Sequence, residues 1–325
     1  MKKFEIALLG TGRINQLHCK ILKKSKFFRP YIASRSKEKS KDFQKKFSLD
    51  ASFSSYESAI ESSCPGILIG TPPKSHLNLI KKCIENQKTI FIEKPILYSF
   101  DESQELIKLI ENYPQEKLFV LENQSFDSLH KKICTLPSKY SFGKLYQVKL
   151  HRLGKVKVHG WRSQNQEMPY GALHEAGVHW IRRMQELVES FNGPSKWSDV
   201  HAHTPSFLPH CPGEDTIDAY ISFSKHVQAQ LFHTWRYTNE FPFCFSSIYC
   251  ENGSVHFEGK GSIGFFRIGN KRKWILPNFF DFGGYKLMWK HIENSLSKKI
   301  PFEPSIDKIL DDFLLIEKIY DCLDT

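Results

Sequence analysis

The chain has 325 residues, 40% hydrophobic and 25% charged, which is apolar material for a large buried core and length for two domains; intrinsic disorder is excluded. The formal net charge is +11, but residues 20–46 hold eleven Lys or Arg against only Glu38 and Asp42, so the excess is local and argues against a general nucleic-acid binder. The eight cysteines, at 19, 64, 83, 134, 211, 244, 250 and 322, include no C-x-x-C pair and suit reduced thiols in a cytoplasmic protein better than a disulfide scaffold or zinc site.

Met1-Lys2-Lys3 runs at once into the apolar stretch Phe4–Leu9, without the h-region or cleavage site of a secretory signal. No stretch reaches membrane-spanning length, so a cytoplasmic protein with no membrane partner is expected. Phe4–Leu9 reads as a strand covered on both faces, followed by a helix with Ile14, Leu17, Ile21 and Leu22 at helical spacing. Further strands are expected at 31–33, Gly66–Ile69, Thr89–Ile92 and 118–121, with helices filling the gaps. One helix opens at Ser99, where Ser99 and Glu102 form a capping pattern, Leu106, Ile107 and Ile110 give the apolar stripe, and Pro114 ends it. The alternation predicts an α/β fold, a doubly wound parallel sheet of the Rossmann type over residues 1–122.

After residue 122 the texture changes to period-two strands. Ile217, Ala219, Ile221 and Phe223 alternate, as do Val227, Ala229, Leu231, His233 and Trp235, and Asn252-Gly253 reads as a hairpin turn. A last helix opens near Ser305 and turns Ile306, Leu310, Phe313 and Leu314 toward a core. Residues 123–325 are therefore predicted to form an α+β domain with a large, mainly antiparallel sheet, for substrate binding and oligomerisation.

Gly10-Thr11-Gly12-Arg13-Ile14-Asn15 follows the first strand and opens the first helix, the context a dinucleotide fingerprint requires. Gly10 permits the tight turn, Gly12 lets the backbone approach a pyrophosphate, and the helix N-terminus offers unpaired amides. Asn15 stands where a third Gly or Ala is usual, a departure expected to loosen helix-to-strand packing. At the end of the second strand, where an NAD enzyme places a carboxylate, stand Ala33-Ser34-Arg35-Ser36. A hydroxyl and a guanidinium suit a 2′-phosphate, so NADP(H) is favoured and NAD(H) remains open.

Taken with the fingerprint, three further segments resemble the glucose-fructose oxidoreductase, inositol dehydrogenase and MocA (Gfo/Idh/MocA) family of NAD(P)-dependent oxidoreductases. They are Thr71-Pro72-Pro73-Lys74-Ser75-His76, Glu93-Lys94-Pro95, and Gly171 through His179. The resemblance implies cofactor contacts for Thr71, Pro72, His76 and Glu93, and a Lys94 beside the nicotinamide and the reacting carbon, followed by a proline whose peptide is commonly cis. It makes His179 the proton-transferring histidine and puts Glu175 at the acidic position, normally Asp. Four-residue spacing on a helix would put Glu175 and His179 on one face. His174 and His179 are five apart, unlike the H-E-x-x-H zinc pattern, so no metal is expected. Trp161 and Arg162 match a segment near the substrate, and Asn123 aligns near the nicotinamide.

The expected chemistry is hydride transfer between the cofactor and a sugar, cyclitol or related polyhydroxylated compound in carbohydrate metabolism. Lys94, His179 and Glu175 would be catalytic, in a homo-oligomer, dimer or tetramer, with no nucleic-acid partner. Two alternatives stay open: a glycosidase-type oxidation and elimination using the same cofactor, and a non-catalytic dinucleotide-sensing regulator.

Overall fold

The computed structural model describes residues 3–114, 117–158, 160–164, 166–204, 211, 213–224, 226–236, 244–259, 261–278, 280–281 and 283–323. The chain divides into two compact units: Met1–Glu122 with Lys286–Lys308, and Asn123–Tyr285 with Ile309–Thr325.

The first unit alternates strand and helix: β1 Phe4–Leu9, α1 Arg13–Lys24, β2 Phe28–Ala33, α2 Lys37–Phe47, β3 Ser52–Phe53, α3 Tyr56–Ile60, β4 Gly66–Ile69, α4 His76–Glu85, β5 Thr89–Ile92, α5 Ser103–Ile110 and β6 Leu118–Val120. The strands form one parallel sheet in the order β3-β2-β1-β4-β5-β6. In that order the chain winds outward in both directions from the β1/β4 pair, the Rossmann arrangement expected from the sequence. β4 and β5 are buried along their whole length, which explains why they read as unbroken apolar runs.

Along α1 the buried positions are Asn15, His18, Cys19 and Leu22, whereas Leu17 is exposed and Ile14 and Ile21 are only partly covered. The expected apolar stripe is thus displaced by one residue. Two polar side chains face inward where each finds hydrogen-bond partners, Asn15 through its Nδ2 and His18 through its ring.

The second unit carries α6 Ser128–Cys134, β7 Leu145–Leu153, α7 Val178–Asn192, β8 Trp197–His203, β9 Thr216–Phe223, β10 Val227–Thr234, β11 Phe245–Cys250, β12 Gly253–Glu258, β13 Gly264–Ile268 and β14 Lys271–Ile275. These strands form a sheet in the order β14-β13-β12-β11-β7-β10-β9-β8, antiparallel at every pairing except β7 with β10. α7 packs on β7 and β10 over one face. Tyr146, Tyr220, Phe245, Tyr249 and Trp274 are exposed.

Two helices close the chain, α8 Tyr285–Lys298 and α9 Ile306–Asp321. Most of α8 belongs to the first unit, where Trp289 packs its ring 5.2 Å from Phe28 and 5.4 Å from Phe91. The boundary expected at residue 122 puts 286–308 in the second domain, whereas this segment groups with the first unit. On α9 the buried face runs through Ile306, Ile309, Asp312, Phe313 and Ile316, while Leu314, expected in the core, is exposed. Asp312 takes an inward position because Arg182 and Gln185 of α7 meet its carboxylate at 3.3 and 2.8 Å.

Candidate active site

In the first unit the sheet order sets four sequence motifs side by side at the carboxyl ends of β2, β1, β4 and β5. The turn after β1 has Gly10 at φ +101°, a conformation that L side chains rarely adopt. α1 then begins with no side-chain cap, Gly12 at its N-cap and no acidic residue in its first turn. A Cβ at Gly12 would meet nothing within 4 Å. Amide donors that no side chain covers, beside open space, fit the diphosphate of a dinucleotide. Thr11 and Ile14 are half-buried and Arg13 is exposed along this turn.

Asn15 ties the turn together instead of loosening it. Its Nδ2 donates to the carbonyls of Leu9 and Gly10, both at 2.7 Å, and its carboxamide occupies the space that a Cβ on Gly70 would need. The glycine that makes room for the helix therefore sits at the end of β4 rather than on α1.

At the end of β2, Ser34 is buried and its Oγ accepts the amide of Ser36, while Arg35 is exposed. Arg35 also reaches the hydroxyl of Tyr56: burial raises the Tyr56 phenol, and the guanidinium pulls against that rise. After β4, Thr71 and Ser75 hydrogen-bond through their hydroxyls at 2.7 Å, and Pro72 leads into a short 3-10 turn, Pro73–Ser75. His76 is fully buried, with Nδ1 3.0 Å from the Pro95 carbonyl and Nε2 2.9 Å from that of Thr71. Burial lowers its pKa, and the two carbonyls oppose this. The ring thus lies between the turn after β4 and the turn after β5, with a backbone carbonyl from each within hydrogen-bond reach of a ring whose neutral form has one N–H to donate.

β5 delivers Glu93-Lys94-Pro95, with the Lys94–Pro95 peptide cis. Lys94 is half-buried, and Glu93 points into the interior. Trp289 donates its indole N–H to His18 Nδ1 at 3.0 Å. An indole can only donate, so Nδ1 is the acceptor and Nε2 carries the ring proton, which it gives to Glu93 Oε1 at 2.7 Å. Glu93 Oε2 accepts the amide of Lys94 at 3.3 Å. Glu93 is thereby placed as the support of Lys94. The sequence motif identified the pair, but nothing local in the sequence pointed to His18 or Trp289.

In the second unit, Asn123 opens a short turn, Asn123–Phe126, and donates to the Gly283 carbonyl at 2.6 Å. Trp161 and Arg162 lie in another, Gly160–Ser163. The Arg162 guanidinium stacks 4.4 Å from the Trp161 ring and clamps Glu175 Oε1 through Nε at 2.9 Å and Nη2 at 2.5 Å. Trp161 packs on the apolar cluster of Met168, Ala172 and Trp235. Trp161, Arg162 and Glu175 thus meet in one place.

Glu175 sits in a π-helical turn, Leu173–Gly177, that runs directly into α7, whose second residue is the half-buried His179. The α-helical spacing assumed for Glu175 and His179 does not hold through this wider turn, a feature frequent at functional sites. His174 is buried among the rings of Tyr170 and Phe313. Among the described residues no group of three or more His, Cys, Asp or Glu could hold a metal ion.

Sequence reasoning missed Glu214, which is buried just before β9 and accepts the amides of Gly171 at 3.0 Å and Leu173 at 2.7 Å and the hydroxyl of Tyr320. Burial pushes its carboxyl up to about 7 against the pull of those donors. The available signal was the pairing of Gly171 with Gly213-Glu214, since a Cβ on Gly171 would collide with Glu214 and one on Gly213 with Gly171.

The architecture is a dinucleotide-binding Rossmann unit coupled in one chain to an α+β unit that presents an acid and an imidazole at the start of a helix. Residues 4–120 match the profile of an oxidoreductase family with an NAD-binding Rossmann fold, and residues 132–256 match the C-terminal domain profile of the same family; the chain belongs to the Gfo/Idh/MocA oxidoreductases. A trans-1,2-dihydrobenzene-1,2-diol dehydrogenase from Xenopus laevis is 26% identical over 206 residues, 62% of this chain and 59% of the relative. The match therefore spans about three-fifths of that relative's length. Among solved structures, a levoglucosan dehydrogenase in complex with NADH and levoglucosan has a TM-score of 0.88 at 16% identity, covering 99% of this chain and 98% of the other. A Synechocystis biliverdin reductase in complex with biliverdin and NADP+ has a TM-score of 0.78 at 15% identity, with 99% of each chain covered. At these identities the likeness is one of fold. Among the described residues no helix is long and apolar enough to cross a membrane.

Proposed function

We propose that the protein is an NADP(H)-preferring oxidoreductase that interconverts a secondary alcohol and a ketone, or an aldehyde, on a sugar, cyclitol or related polyhydroxylated compound. The observation that carries this reading is the acid-free, uncapped start of α1 lying one strand from the Thr71–His76 turn and two from Glu93-Lys94. It provides a seat for a diphosphate and a supported lysine at one edge of the sheet. The preference for NADP(H) rests on Ser34, Arg35 and the lack of a carboxylate at the end of β2. The named dehydrogenases, which act on a dihydrodiol and on levoglucosan, support a hydroxyl-bearing substrate.

A bound nicotinamide supplies the acceptor for the carbinol hydride. The protein's own groups do the rest: His179 takes the hydroxyl proton, and Lys94 stabilises the oxygen as it gains negative charge. Thr71, Pro72 and the Gly10–Ile14 turn would hold the cofactor's diphosphate side, His76 and Glu93 would buttress them, and Asn123 is assigned to the cofactor by the family motif. Arg162 holds Glu175 in position, so that the longer acid is a fixed donor-positioning group rather than a free base. Trp161 offers an aromatic wall beside it.

The eight free cysteines support a reducing, cytoplasmic setting, and the exposed aromatic side chains of the large sheet support a homo-oligomer. Titration with NADPH and NADH tests the cofactor, and a screen of polyols, cyclitols, sugars and dihydrodiols for absorbance change at 340 nm tests the substrate class. On the substrate so found, Lys94→Ala and His179→Ala should each lower kcat by about a hundredfold or more. Turnover near the wild-type rate in both would refute the assigned roles, and no measurable binding of either dinucleotide would refute the reading as a whole.

A further inference from the structure

A helix start leaves four backbone N–H groups without partners inside the helix, and a local Ser, Thr, Asp or Asn ordinarily covers them. The segment bearing Glu175 and His179 has no such residue: Ala172 precedes the π-helical turn and Gly177 precedes α7, and neither has a side-chain cap. The amides are covered from far away in the chain. Gly171 N–H donates to Glu214 Oε2, Ala172 N–H to the Glu214 carbonyl at 2.7 Å, Leu173 N–H to Glu214 Oε1, and His174 N–H to Tyr320 Oη at 3.3 Å. Four successive donors thus end on two residues, which also bond to each other, Tyr320 Oη lying 3.0 and 2.9 Å from the two carboxyl oxygens.

The packing leaves no slack. Glu214 is 3% exposed, and the backbones at Gly171 and Gly213 approach so closely that neither position tolerates a Cβ without movement. Tyr320 stands on α9 with its ring 5.1 Å from Tyr170, which itself lies tilted 5.1 Å from His174. A buried carboxyl is a costly way to cap a helix when a surface serine would do. What it adds is location: the start of the turn is fixed to β9 and α9 at once, and the direction in which Glu175 and His179 leave the backbone is fixed with it.

We infer that Glu214 and Tyr320 are positioning residues for the Glu175–His179 segment, holding the π-helical turn in register so that His179 is presented in one orientation. This inference rests on the proposed role of His179, but its test needs neither cofactor nor substrate and so can fail separately from that role. Hydrogen exchange and the histidine Cε1–Hε1 NMR signals are measured on the cofactor-free full chain and on Glu214→Gln and Tyr320→Phe. The His179 signal is assigned by its loss in His179→Gln.

In Glu214→Gln the side-chain NH2 faces an amide that the carboxylate accepted. Exchange at residues 171–174 should rise about tenfold or more while β9 and β10 stay protected, and the His179 signal should move or double while those of His18 and His76 hold still. Tyr320→Phe keeps the carboxyl but leaves the His174 amide uncovered, and should give the smaller form of the same local change. If Glu214→Gln does not fold, Tyr320→Phe is read by the same criteria. A His179 signal that stays in place, or exchange that rises evenly through the whole unit, would overturn the inference, because a merely stabilising cap has no reason to act on one ring.

Discussion

His18 is locked into a single tautomer by Trp289: the indole N–H occupies Nδ1 at 3.0 Å, so the ring proton lies on Nε2 and is given to Glu93. Long-range 1H–15N correlation of the histidine rings should find the neutral His18 ring as the Nε2–H tautomer alone. Trp289→Phe removes the donor and keeps most of the packing against Phe28 and Phe91. It should cost about 1–3 kcal/mol in denaturant unfolding, the range for one buried acceptor left without a partner, and allow the second tautomer. An unaltered tautomer in Trp289→Phe would contradict the relay.

Asn15 and Gly70 fill one space between them. Asn15→Ala loses two hydrogen bonds to the β1 turn and should destabilise by about 1–3 kcal/mol. Gly70→Ala alone forces its methyl into the carboxamide and should cost more. The double variant relieves the collision, so the two effects should fall short of additivity by about 1 kcal/mol or more in a double-mutant cycle. Simple additivity would show that the two positions do not share the space.

Arg35 is the proposed partner of the 2′-phosphate. Arg35→Ala should raise the dissociation constant for NADPH about tenfold or more, as loss of a charge-assisted contact requires, and leave that for NADH within about twofold. Calorimetric titration of both dinucleotides decides it, and an equal loss for the two would remove the basis for NADP preference.

Glu214 links stability to pH. Its folded-state pKa, about 7, lies above the 4.5 of an ordinary glutamate, so the folded protein holds this proton more tightly than the unfolded chain. The resulting stabilisation is fully present below about pH 4.5 and is lost as pH rises through about 7, on the order of 3 kcal/mol in all. Nearby Tyr320 does not interfere, because burial and Glu214 itself hold its hydroxyl well above 10, and burial pushes the Cys211 thiol up to about 11. Glu214→Gln should flatten the unfolding free energy between pH 5 and 8 relative to the wild type. Parallel wild-type and variant curves would count against the raised pKa.

The sequence reveals the parts of this protein that depend on short-range pattern. β1, β4 and β5 are buried on both faces and read as apolar runs, and β9 and β10 alternate because one side of each faces the core. The glycine turn and Glu93-Lys94 are legible because their chemistry sits in consecutive residues. What the sequence hides is polar burial at long range. His18 and Asp312 look like surface positions until Glu93 and Arg182 are brought to them by the fold. The π-helical turn before His179 is hidden for the same reason, since the residues covering its first amides come from 41 and 146 positions away.

The return of α8 to the first unit bears on how the protein is made. The ribosome releases residues 4–120 early, but the indole that completes the His18–Glu93 pair and covers Phe28 and Phe91 arrives only with residue 289. The nascent Rossmann sheet must therefore wait, with its interior incompletely sealed, until residue 289 has been synthesised. A fragment ending at residue 122 would lack that indole for good, and should collapse into a loosened, aggregation-prone form that is rescued by adding back a peptide spanning 286–308.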